Sequence, residues 1–228
     1  MAASGSQAGQ ATEAPDRGAL AYNLAGITII VLLLAVGLAY GIDRLGRSTG
    51  PNVPALGDGD PIVQTIGGRE LTIPTSWFRY GEQLKDDFAS QADLRVMLAL
   101  GDNGALLPVD VTLQSRNRAR SSAALLDAVY LHQFDDGMRE GVPGLVGKPL
   151  KAAEGYSGET VWYDPLSPAP FVAKCASGVT PDLPDRCLRT IHLRTGIAAV
   201  LSFDATALAG WRKFDEELAL WLGQIGAL

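Results

Sequence analysis

From Gly18 to Ile42 the chain runs for 25 residues without a charged side chain, and this stretch restricts the possible folds more than any other feature. At about 1.5 Å per residue, a helix of that length reaches beyond the ~30 Å hydrocarbon core of a bilayer. Its centre is the run Ile27-Thr28-Ile29-Ile30-Val31-Leu32-Leu33-Leu34, and Tyr22 and Tyr40 sit near its ends, where amphipathic rings favour the interface. The competing reading is a signal peptide cleaved near Gly37 and Ala39. Signal sequences, however, carry an apolar run of about 7–15 residues behind a basic segment. Here Arg17 is offset by Glu13 and Asp16. The sequence therefore predicts a retained single-pass transmembrane helix over 19–42. Gly37 and Gly41 form a small-xxx-small pair, the spacing that lets two helices approach closely in a homodimer.

Around this helix the chain divides into four parts. Residues 1–18, rich in Ala, Gly, Ser and Gln, are expected to be disordered. Residues 43–60 hold Gly46, Gly50, Pro51, Pro54, Gly57 and Gly59, the composition of a flexible linker. Residues 61–228 read as one globular domain. The side of the membrane is argued from two opposed signals. Arg44 and Arg47 after the span, against Arg17 before it, favour a cytoplasmic domain by the positive-inside rule. Cys175 and Cys187, the only cysteines, suit a disulfide, which persists in oxidising compartments. Closing a loop of about 13 residues would stabilise the fold by roughly 3 kcal/mol in the chain-entropy model. The pair is read as a structural clasp, which places the domain in the periplasm, on the outer side of the inner membrane.

Within the domain, 62–66 and 69–73 flank Gly67-Gly68 as a hairpin, Pro74 ends the second strand, and Trp77-Phe78 follows as an aromatic plug. A second strand pair, 93–100 and 109–113, surrounds Gly101-Asp102-Asn103-Gly104. Helical spacing marks 121–134, three candidate strands lie near 150, 160 and 172, and 186–193 with 197–203 form the clearest hairpin. In that last strand Ile197, Ala199, Leu201 and Phe203 share a face. Ala207, Trp211, Phe214, Leu218, Trp221 and Ile225 recur at steps of three and four, the stripe of a helix that lids a sheet. The expected class is α+β: an antiparallel sheet of about six to seven strands covered by helices near 121–134 and 206–225.

Reactive chemistry is thinly represented. A net charge of −6 disfavours a broad nucleic-acid footprint. Two Cys and two His make neither a four-ligand zinc site without carboxylates nor a Cys-ligated iron–sulfur cluster, and no metal or cofactor is expected. Gly155-Tyr156-Ser157-Gly158-Glu159 departs from a nucleophile elbow because Glu159 occupies the last glycine position. It reads as a turn entering a strand. A hydrolase using Ser157 would need His132 or His192 as base, and both read as surface residues. The acid pairs Asp86-Asp87, Asp135-Asp136 and Glu216-Glu217 read as solvated. Arg116-Asn117-Arg118-Ala119-Arg120 is a basic run in a segment, 59–228, with 16 Lys and Arg against 21 Asp and Glu. Its plain reading is a solvated loop, with contact to anionic lipid or a partner's acidic face as the functional one.

The order Thr65-Ile66-Gly67-Gly68-Arg69-Glu70-Leu71-Thr72-Ile73-Pro74, then Gly155–Glu159, Phe171-Val172-Ala173-Lys174-Cys175, Cys187-Leu188-Arg189 and Trp211-Arg212-Lys213-Phe214-Asp215 resembles uncharacterised single-pass proteins of alphaproteobacteria. That resemblance implies an inner-membrane anchor with a periplasmic domain and carries over no catalytic residue. The strand ending at Ile73-Pro74 before Trp77, with the closing strand and helix, is also similar to PsbP/Mog1-like domains, which implies an α+β fold that binds other proteins. The functional expectation is a membrane-tethered periplasmic domain, not an enzyme, that binds or helps assemble an envelope protein partner. A small-molecule or lipid-binding domain with a pocket lined by Trp162, Tyr163 and Phe171 is the alternative, and a Ser157 hydrolase the second.

Overall fold

Gly67 and Gly68 adopt φ values of 60° and 83°, so a two-residue turn brings Ile66 opposite Arg69. L-residues adopt such angles at a cost that glycine avoids. The computed structural model describes residues 27–37, 53–178, 180 and 183–228, divided between two units, Met1–Asn52 and Val53–Leu228.

In the first unit, residues 27–37 form helix α1, whose large apolar side chains are more than half exposed. Among the described residues no helix is long and apolar enough to cross a membrane. The expected span continues over 19–26 and 38–42, which lie outside the described residues together with 1–18, 43–52 and Gly41.

The second unit is α+β. The hairpin strands β1 (Pro61–Ile66) and β2 (Arg69–Pro74) join β3 (Asp87–Phe88) in a three-stranded sheet of order β2-β1-β3, in which β1 and β3 run parallel. The remaining strands are β4 (Gln91–Leu98), β5 (Leu107–Ser115), β6 (Val146–Pro149), β7 (Glu159–Tyr163), β8 (Val172–Ala176), β9 (Arg186–His192) and β10 (Ile197–Asp204). They form one antiparallel sheet of seven strands, ordered β4-β5-β10-β9-β8-β7-β6. The expected six to seven strands and the β9–β10 hairpin are present. The separate three-stranded sheet was not anticipated, because β3 is two exposed residues with no alternation to read.

Period-two alternation decides what each face buries. Leu94 and Val96 of β4, Val109 and Val111 of β5, and Leu201 and Phe203 of β10 share one face. Helix α4 (Phe214–Gln224) packs against it through Phe214, Leu218 and Trp221, with Ile66, Leu71 and Ile73 of the hairpin. On the opposite face, Val161 and Val172 meet Leu126 and Tyr130 in a second, smaller core. Those two side chains belong to a helical stretch that opens as α2 (Ser122–Leu125), widens to a π turn over Leu126–Tyr130, and closes as α3 (Leu131–Gln133). The hydroxyl of Ser121 caps its start by accepting the Ala124 N–H at 3.3 Å.

The stripe from Ala207 to Ile225 is corrected in one respect. Ala205–Gly210 is a 3₁₀ turn, and the α-helix begins only at Phe214. A Cβ at Gly210 would stand 2.5 Å from the Leu100 carbonyl oxygen, so the backbone itself packs there. Ala207, Phe214, Leu218, Trp221 and Ile225 are nonetheless all buried.

Candidate functional site

Gln64 faces inward from β1 and is only 2% exposed. Its amide nitrogen donates to the Gln83 carbonyl at 2.6 Å and the Lys85 carbonyl at 3.0 Å, holding residues 83–85 from beneath. Asp93 of β4 supplies a second hold. Its carboxylate accepts from Gln83 Nε2 and Gln91 Nε2, each at 2.8 Å, and from the Thr112 hydroxyl. The Asp93 N–H in turn donates to Gln83 Oε1 at 2.9 Å. Burial is the largest single influence on this carboxyl and by itself would raise its pKa. The bonds from Thr112, Gln91 and Gln83, with the field of Arg79, outweigh it and hold the group below the usual carboxylate range.

A pH dependence follows from that sign. A depressed folded-state pKa contributes stability above the unfolded-state value, and the contribution is lost as pH falls through the folded value. Denaturant titrations from neutrality downward should therefore show a loss of stability below about pH 4, the ordinary range for Asp. Asp93→Asn should be less stable at neutral pH and show a shallower acid loss, and a parallel pair of pH profiles would contradict the assignment.

Held by Gln64 and Asp93, the segment between β2 and β4 turns sharply. Asp86 Oδ1 accepts the Val63 N–H at 2.8 Å, which seats the segment on β1. Asp87 then takes φ 142°, a left-handed value that non-glycine residues adopt only when their surroundings impose it. The next residue, Phe88, pairs with Thr65 and is 83% exposed. Val63, two residues before Thr65 on the same face, is also exposed. Phe88 stands between two open grooves. One, of about 780 Å³, is lined by Thr65, Arg69, Glu70, Thr72 and Ile225. The other, of about 550 Å³, is lined by Gln64, Glu82, Lys85, Asp86 and Gln91. An aromatic ring fixed between concave polar surfaces can insert into a partner or receive one, and it offers no reacting group.

The residues singled out from the sequence are distributed elsewhere. Cys175 and Cys187 form a disulfide between directly paired residues of β8 and β9. Trp162 and Tyr163 point to opposite faces of β7, so they share no pocket; Trp162 and Phe171 lie in the main core, while Tyr163 stacks on Phe134 at 5.9 Å. Gly155–Glu159 is a turn into β7, as expected, and Glu159 pairs with Lys174 at 2.7 Å. Nearby, burial raises the Tyr130 phenol above its ordinary value, with Glu159 and Tyr156 adding to the shift. Ser157 is exposed, and neither histidine bonds to it among the described residues. His132 is exposed, whereas His192 is half-buried, accepts from Arg116 Nε at 3.0 Å and lies 2.7 Å from the Ala119 carbonyl. Asp86 and Asp87 are structural elements of the Phe88 turn. The other two acid pairs lie apart from it, with Glu217 accepting the Ala99 N–H.

Two features carry little sequence signal. Phe88 is one aromatic residue beside a charged run and belongs to no periodic pattern. Arg189 is 5% exposed, bonded through both terminal nitrogens to Asp215 and set 4.3 Å from the Phe171 ring centre. Among the described residues, no group of three or more His, Cys, Asp or Glu side chains converges as a metal site. Compared with known proteins, the chain matches no family model, no curated protein and no solved structure.

Proposed function

We propose that this chain is a membrane-tethered, non-enzymatic periplasmic domain that binds a protein partner in the cell envelope, with Phe88 at the centre of the contact. The observation that carries the reading is the exposure of Phe88 on a turn whose backbone is held in an unfavourable conformation by buried Gln64 and Asp93. Water gains nothing from a phenyl ring presented in this way, whereas a protein partner gains a rigid anchor of the kind that dominates interfaces. The tether is supported by the uncharged 18–42 stretch and by the exposed apolar side chains of α1. The compartment is supported by the Cys175–Cys187 disulfide.

A photo-crosslinking residue placed at Phe88 in native membranes should yield a discrete adduct with another protein. The same residue at Leu166, 91% exposed and remote from the grooves in sequence, is the control and should not. Once the partner is identified, Phe88→Ala should weaken binding roughly 30-fold, a loss of about 2 kcal/mol, without changing the melting temperature. Recovery of uncrosslinked chain alone from both positions would overturn the reading. A topology reporter fused at the C-terminus should be active in the periplasm, and Cys175 and Cys187 should resist alkylation until reduced.

A further inference from the structure

The arginines of the second unit are not treated alike. Arg79, Arg95, Arg186 and Arg189 each lie within ion-pair distance of an aspartate. Arg69, Arg116, Arg118, Arg120, Arg139, Arg194 and Arg212 are all exposed, and none of them forms an ion pair among the described residues.

Five of these seven, Arg69, Arg116, Arg118, Arg120 and Arg194, are scattered in sequence and meet at one end of the molecule, while Arg212 lies elsewhere, against Pro143. The turn at Gly67 lies against Ser115 and Gly196, where an added Cβ would be 3.3 Å from the serine hydroxyl and 3.5 Å from the Gly196 carbonyl. The Arg116 N–H donates to that same carbonyl at 2.9 Å. Thr195 Oγ1 donates to the Ala227 carbonyl at 2.8 Å, and Arg69 Nε donates to the neighbouring Gly226 carbonyl at 3.3 Å. The hairpin tip, the turn between β9 and β10, and the loop after β5 therefore form one surface. Glu70 beside Arg69 and Asp215, which lines a cleft with Arg116, are acids at this end, and the five arginines outnumber them. This concentration occurs on a segment, 59–228, that carries more acids than bases overall.

We infer that this arginine-rich end docks onto anionic phospholipid headgroups at the bilayer surface. Guanidinium groups bind phosphate oxygens in a planar, two-pronged geometry. Arg116 uses its Nε on His192 and keeps its terminal nitrogens for such a ligand. The charges are spread over three separate turns, with Arg69 at the Phe88 groove and Arg116 at a separate cleft, which suits a two-dimensional array of phosphates better than one acidic peptide. The chain length agrees: residues 43–52 are ten residues, and ten residues extend at most about 36 Å. The inference rests on the membrane tether proposed above, and the experiment separates the two.

Full-length Asn117→Cys protein, labelled with a fluorophore at its one free thiol, is reconstituted into vesicles containing a headgroup-attached quencher. Quenching should be strong in phosphatidylcholine mixed with phosphatidylglycerol and weak in phosphatidylcholine alone. It should vanish near 1 M salt, where the screening length falls to about 3 Å. Each arginine contributes about fivefold at an anionic surface, so R116Q/R118Q/R120Q should lower the docked-to-free ratio roughly a hundredfold. The separate pair R69Q/R194Q should lower it roughly 25-fold, which keeps the test decisive if the triple variant misfolds. Equal quenching in both lipids, or variants that behave as the parent, would overturn the inference. So would an acidic protein crosslinked at position 117 without dependence on lipid charge. Release of the chain by alkaline carbonate would end the tether reading alone. Vesicle binding that still required phosphatidylglycerol and low salt would then sustain the present one.

Discussion

Replacing Trp77 with alanine should destabilise the second unit by about 3–5 kcal/mol, the range for deleting a buried aromatic side chain. The indole is fully buried and lies 4.7 Å from the Trp221 ring, tilted by 53°. Its Nε1 donates to the Ala55 carbonyl at 3.1 Å, so one side chain joins the incoming 53–58 segment, the hairpin and α4. Alanine would leave a cavity beside Trp221 and an acceptor without its donor. Trp77→Phe separates the two effects: it restores most of the apolar volume and should recover all but about 1–2 kcal/mol. Denaturant titration of both variants measures this directly. A Trp77→Ala midpoint close to that of the parent would mean that the ring's burial contributes little.

Breaking the disulfide should cost about 3 kcal/mol, from the freedom regained by an unfolded loop of about 13 residues. The local geometry adds a reason to expect a visible effect. β8 and β9 share only three paired positions, Lys174↔Leu188, Cys175↔Cys187 and Ala176↔Arg186. Beyond them the strands part, and the Ser122 hydroxyl accepts the Thr190 N–H at 2.8 Å, a donor that no β8 partner takes up there. The covalent link therefore closes the shortest pairing on either side of β9. Comparing oxidised and reduced parent protein with a Cys175→Ala/Cys187→Ala variant distinguishes loop entropy from lost packing, since both sulfurs are buried. Reduced parent and double variant should lose similar stability, with exchange of backbone amides rising most in the short β8–β9 pairing at 174–176 and 186–188. No difference between oxidised and reduced protein would remove the clasp role.

Much of the architecture was legible because it depends on short-range pattern. The hairpin at Gly67-Gly68 required only two glycines between alternating apolar runs, and β9 and β10 announced themselves by period-two spacing. The disulfide was legible from two cysteines bracketing a proline-rich loop. The C-terminal stripe marked residues that are buried except Trp211, which stays partly exposed just before the α-helix begins at Phe214.

The candidate surfaces were harder to see. The exposure of Phe88 is set by Gln64, some twenty residues upstream in another strand, and by Asp93 with Thr112 across β4 and β5. Asp93 is five residues from Phe88, but no local window also contains Gln64 and Thr112. Arg116, Arg118 and Arg120 stood out as a run, but Arg69 and Arg194 join them only because β5 pairs with β10 and the hairpin tip rests on the adjoining turn. What the linear chain determined by itself was periodicity, turn chemistry and the uncharged stretch near its start, since these arise from neighbours within a few residues. What only the tertiary structure decided was which side chains remain uncovered and which charges converge, because strand order sets both.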